Sequence, residues 1–211
     1  MIIKINDINK QQLVNNNQFY PVVAYRMNDN HAKEYRIFDE GNSFTWIDKD
    51  IDVLCDDELN YYKCMVNNEM LFLYKEIDSD FFTNFYLEED NFENIFKQLE
   101  GALKSIIMHD FNVDEIMQAI KQTDTNSDYF TLYLDCFFEL ANNEEINENM
   151  RYFTDYCEQL HENDIRKIVD YVQSIDSDEV KLFFENAEGT SAEIYGYQVI
   201  DKKCEICWKQ L

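Results

Sequence analysis

The hydrophobic period changes once along this chain, near residue 90, and that switch restricts the fold more than any figure of composition. Before it, short runs rich in aromatic and β-branched residues recur: MIIKI (1–5), PVVAYRM (21–27), KEYRIF (33–38), SFTWI (43–47), YYKCMV (61–66) and EMLFLYK (69–75). Runs of this kind bounded by turn residues predict strands. Asn28-Asp29-Asn30, Glu40-Gly41-Asn42 and Asn67-Asn68 tolerate positive φ or cap themselves locally, so consecutive strands are expected to form hairpins of an antiparallel meander. The single proline, Pro21, stands at a strand start, where its missing donor does least harm.

After residue 90 the apolar positions recur every three to four residues, the period of a helix with one buried face. Asp90-Asn91-Phe92-Glu93 has capping-box spacing, and Phe92, Ile95, Phe96, Leu99, Leu103, Ile106 and Ile107 follow it. A second helix is expected from Asn112 with Glu115 at its third position. A third turns Phe130, Tyr133, Leu134, Phe137, Leu140 and Ala141 inward and Thr131, Asp135 and Glu139 outward. A fourth spans Arg151 to His161, a fifth Asp164 to Ile175, and a short sixth follows Ser177. EIYGYQVI (193–200) and CEICW (204–208) return to strand character. The expected fold is α+β: an antiparallel β-rich part over 1–89, an acidic helical part over 90–189, and a β segment over 190–211 that packs on the first part and rejoins its sheet.

Several chemistries lack their residues. Phosphate loops need closely spaced glycines, and Gly41, Gly101, Gly189 and Gly196 stand far apart. His31, His109 and His161 have no nucleophile beside them in sequence and are expected at surfaces or helix ends. With 43 acids present, no pair of carboxylates can be singled out as a glycosidase pair. Six cysteines in a chain long enough to bury a core are expected reduced, and the lone CxxC of Cys204 and Cys207 finds only Cys55 and Cys64 as further thiolates, which do not form a second knuckle. No enzyme activity and no cofactor is expected. Nor is a cleavable leader or a run of about eighteen apolar residues visible, so the expectation is a soluble protein of the bacterial cytoplasm, with no membrane and no direct nucleic-acid contact.

One stretch has metal-ligand spacing. In DTNSDYFTLYLD (124–135), Asp124, Asn126, Asp128 and Asp135 take the first, third, fifth and twelfth positions of an EF-hand loop. Tyr129 replaces the glycine of the bend and Asp135 the bidentate glutamate, so a solvated connection between helices stands beside calcium binding as the reading of this stretch.

Charge carries the functional expectation. The formal net charge is −25, and it is uneven: residues 88–189 hold 25 acids against 7 bases. A field of one sign repels nucleic acid and membranes and attracts basic surfaces. DNA presents one phosphate per ~3.4 Å on each strand, and carboxylates three or four positions apart on a helix recur every ~4.5–6 Å, close enough to engage the same basic groove. Asp135 and Glu139, then Glu144, Glu145 and Glu148, then Asp155, Glu158 and Glu162 form such a stripe, the expected contact for a basic protein that itself binds nucleic acid. Clustered tyrosines, Tyr61, Tyr62, Tyr129 and Tyr133, are expected partly at a binding surface. In composition and size the chain resembles the acidic inhibitors of phages and mobile elements, anti-restriction and anti-CRISPR proteins among them. The resemblance implies a stoichiometric binder, in some cases a DNA mimic, that occupies the nucleic-acid-binding surface of a host nuclease. An immunity protein that plugs a basic toxin nuclease and a calcium-binding regulatory domain are the alternatives.

Overall fold

The computed structural model describes residues 1–6, 14–15, 18–39, 43–80, 95–142, 146–157, 159–174, 192–200 and 203–210. The fold is α+β, with eight strands, then five helices, then two strands among the described residues. The chain divides into two compact units, Met1–Asp110 and Phe111–Leu211, so the first helix groups with the strands and the boundary falls after Asp110 instead of at residue 89.

In the first unit, β1 (Ile2–Ile5), β2 (Phe19–Pro21), β3 (Ala24–Met27), β4 (Lys33–Phe38), β5 (Phe44–Ile47), β6 (Ile51–Cys55), β7 (Tyr61–Val66) and β8 (Glu69–Tyr74) are antiparallel and make two sheets. Their orders are β2-β1-β6 and β5-β4-β3-β8-β7. A single meander is therefore replaced by two sheets. PVVAYRM shows why: Val22 and Val23 are neighbours and both fully buried, which alternation in one half-solvated strand does not allow. The chain switches sheets there, Val22 N–H donating to the Met1 carbonyl at 3.0 Å and Val23 N–H to that of Arg36 at 2.9 Å. The turn between β7 and β8 is the one Asn67-Asn68 foretells, with φ of 49° and 67°, the left-handed pair that matches strand twist in a two-residue hairpin.

The helix α1 (Ile95–Asp110) buries Ile95, Leu99, Ala102, Leu103, Ile106 and Ile107; its large aliphatics each contribute about 1.5–3 kcal/mol of apolar burial. Ser105 ties it to the second sheet, its hydroxyl 3.0 Å from that of Tyr74 and donating to Glu76 at 2.7 Å. At its end Asp110 pairs with the Met1 ammonium at 2.6 Å, both side chains buried. Tyr61 accepts from that ammonium at 3.1 Å and donates to the Val22 carbonyl at 2.6 Å. The capping box at 90–93 lies outside the described residues.

The second unit contains α2 (Val113–Gln122), α3 (Asp128–Ala141), α4 (Ile146–Cys157), α5 (Glu162–Ser174), β9 (Ala192–Ile200) and β10 (Lys203–Gln210). Asn112 and Glu115 form the foreseen capping box, each side chain accepting from the other's backbone N–H. Ser127 caps α3 through the Tyr129 N–H. That helix is enclosed nearly all round: Tyr129, Leu132, Cys136 and Phe138 are buried along with the expected inward set, apart from half-buried Leu140. Phe137 and Phe138 pack on Phe153 of α4 with ring centroids 5.8 and 5.3 Å apart. The carboxy-terminal strands differ from expectation: β9 and β10 pair with each other as a two-stranded sheet, and α5 packs along β9. No helix among the described residues is long and apolar enough to cross a membrane.

Candidate functional site

The acidic surface of the second unit is built where α4 passes the first turn of α2. Asp114 and Glu115 open α2, where carboxylates suit the partial positive charge of a helix start, and both are exposed. Glu148, Tyr152 and Asp155 follow one another along α4 at four and three positions, a single line on the helix. Tyr152 is 42% exposed and donates to Glu148 Oε1 at 3.0 Å. That hydrogen bond to Glu148, then the charge of Glu148 itself, with Asp114 adding to it, keeps the Tyr152 phenol above its ordinary range. Asp155 lies 3.8 Å from Arg151, both well exposed, a pair worth about 0.5 kcal/mol at most. Among the described residues the face is thus one aromatic ring among carboxylates, with a loosely held arginine beside it.

The stripe expected from the sequence is placed in part. Glu148 and Asp155 are exposed. Asp135 and Glu139 are half-buried on α3, and Asp135 accepts a short hydrogen bond from the Tyr171 hydroxyl of α5. Glu162 is the first residue of α5. Glu144, Glu145 and Glu158, and the Glu162 side chain, lie outside the described residues. Of the tyrosines offered as surface, Tyr61, Tyr129 and Tyr133 are core, and only Tyr62 is exposed, at 37%. Their apolar rings face the buried side of their elements, and burial decides over interface preference. Tyr152, which sequence reasoning passed over, had a legible signal in the Glu148-Tyr152-Asp155 spacing.

The calcium-like stretch does not close around a site. Its fifth position, Asp128, starts α3, so Asp135 stands two turns further along a straight helix, about 10 Å of axial rise away. Asp124 Oδ1 instead accepts from the Asn126 backbone and side-chain nitrogens, both at 2.8 Å. Those bonds, with the Lys167 charge a smaller contribution, hold its carboxyl below the usual range. The Lys167 ammonium of α5 lies 2.5 Å from Asn126 Oδ1 and 3.3 Å from Thr125 Oγ1, and Thr125 donates to Asp164 at 2.8 Å. A tethered cation thus lies against the loop at Thr125 and Asn126. No group of three or more His, Cys, Asp or Glu side chains arranged to hold a metal ion occurs among the described residues.

Burial first, then the Asp110 carboxylate, pushes the Cys55 thiol up, and burial pushes up that of Cys64, the opposite of what a thiolate nucleophile needs. His109 sits with Nδ1 2.8 Å from Asp110 Oδ1 and Nε2 3.2 Å from the Asn60 amide, in the last turn of α1. Cys204 and Cys207 both fall within β10, opposite Val199 and Gly196.

No protein-family model, curated protein or solved structure matches the chain.

Proposed function

We propose that this chain is a non-catalytic inhibitor that binds the nucleic-acid-binding surface of a basic enzyme, such as a host defence nuclease of the restriction or CRISPR kind. The observation that carries the reading is the exposed line Glu148, Tyr152 and Asp155 on α4, flanked by Asp114, in a chain of net charge −25. Tyrosine gives a large rigid contact with one polar end, on which an arginine can stack. Carboxylates around it steer a cationic surface into contact and raise the association rate. Opposing carboxylates to a groove that holds phosphates gives competition with DNA as the mode of inhibition.

The test is plasmid interference in cells carrying defined restriction or CRISPR systems, followed by binding to the inhibited nuclease. Affinity is expected to fall at least about tenfold between ~50 mM and ~500 mM salt, duplex DNA to compete, and E148K with D155K to weaken binding further. Affinity indifferent to salt and to both reversals removes the reading.

A further inference from the structure

The five-stranded sheet of the first unit is forked. β3 and β8 pair at Ala24–Leu73 and Tyr25–Phe72, yet β3 runs on to Met27 and β8 begins at Glu69. Each keeps its outer partner to its end, Met27 opposite Lys33 and Glu69 opposite Val66. The two hairpins therefore part beyond Tyr25, and an open pocket of about 350 Å³ fills the crotch, with Arg26, Met27, Asp29, Glu34, Glu69 and Met70 in its lining.

Arg26 clamps the fork from inside. Its Nε bonds Glu34 of β4 at 2.7 Å and its Nη1 bonds Glu69 of β8 at 2.9 Å, while its guanidinium lies over the Trp46 ring, 4.3 Å from the centroid. The lining holds one arginine and three carboxylates, Glu34 and Glu69 bonded to that arginine and Asp29 beyond them, so it is net anionic, and Asp29 and Glu69 are both exposed. Two apolar side chains line it, Met27 46% and Met70 44% exposed, and Met65, paired across the hairpin with Met70, lies next to them at 57% exposed. Thioethers grouped on a surface adapt to whatever alkyl chain they meet. An apolar lining beside carboxylates fits a ligand with an aliphatic stem and a cationic head.

We propose that the fork takes an arginine or lysine side chain from an extended basic segment of the partner, its stem across Met27 and Met70 and its head at Asp29 and Glu69. The proposal rests on the cationic partner of the proposed function and adds a second contact, on the strand unit. A nucleic acid is disfavoured here by the same carboxylates.

The test uses the full chain carrying ¹³C-methyl methionine, with the methionine signals assigned by single leucine variants. It is titrated with a blocked pentapeptide of alternating arginine and leucine and, as control, its glutamate counterpart. The Met27 and Met70 methyl signals are expected to shift and saturate with the arginine peptide alone, and D29N with E69Q to weaken that binding about three- to tenfold. Absence of a saturable shift, equal shifts from the glutamate peptide, or indifference to D29N with E69Q overturns the proposal. The helix variants E148K and D155K should leave this titration unchanged while weakening the nuclease complex, so the two readings can fail separately.

Discussion

Lys167 shows how one distant side chain changes the surroundings of a loop. The residues of 124–135 spell out oxygen ligands, but the cation that meets Asn126 comes from 41 positions further along the chain, on another helix. No local spacing reveals that. Lys33 is a second case. Burial pulls its ammonium down, but the hydrogen bonds it donates to Asp56 and Glu58, with their charges, outweigh burial and push it up to about 12 from 10.5. Its contribution is whole below 10.5, where both states are charged, and is lost as pH rises through about 12. The phenols beside it act in the same direction. Burial, then Glu58, pushes Tyr25 up, and burial, then Asp56, pushes Tyr35 up, so the unfolded chain gives up those protons first. The midpoint of denaturant unfolding is therefore expected to drop steeply from about pH 10 to 12, with phenolate absorbance appearing together with unfolding. A simple titration of all tyrosines at their ordinary value, with no loss of helix or strand signal, contradicts this.

At the scale of elements, legibility followed how local the cause was. Asn67-Asn68 announced its hairpin because the requirement, positive φ at two adjacent residues, is local; φ is 67° at Asn68. Since glycine adopts that conformation without a Cβ penalty, Asn68→Gly is expected to stabilise by up to about 1 kcal/mol, read as a shifted denaturant midpoint, whereas Asn68→Val should destabilise. The box of Asn112 and Glu115 was legible for the same reason. β6 was not: IDVLC alternates poorly and leaves Val53 and Leu54 exposed, so only its pairing with β1 defines it. The start of α4 was read too late, at Arg151 instead of Ile146, which hid Glu148 and Tyr152 as partners on one helix line. Sheet order was illegible altogether, because which strand lies beside β3 is fixed by tertiary packing of Tyr25 on Phe72, 4.6 Å between ring centroids.

At the scale of the molecule, a net charge of −25 works against the compact state, since unfolding relaxes the mutual repulsion of the carboxylates. Thermal stability is therefore expected to rise with added salt, by a few degrees between ~10 mM and ~150 mM, just where partner binding weakens. A melting temperature flat or falling over that range would mean that local pairs such as Lys33 with Asp56 and Glu58 outweigh the general repulsion. The seam between β3 and β8 also has a kinetic meaning. It joins strands with β4 to β7 intervening in the chain, and so is the most non-local pairing of its sheet. Both hairpins can zip early from nearby turns, while their union must wait for a long loop to close and is then fastened over two residue pairs. Assembly of this sheet is therefore timed by its shortest joint, and the same joint is where native-state hydrogen exchange should first register opening.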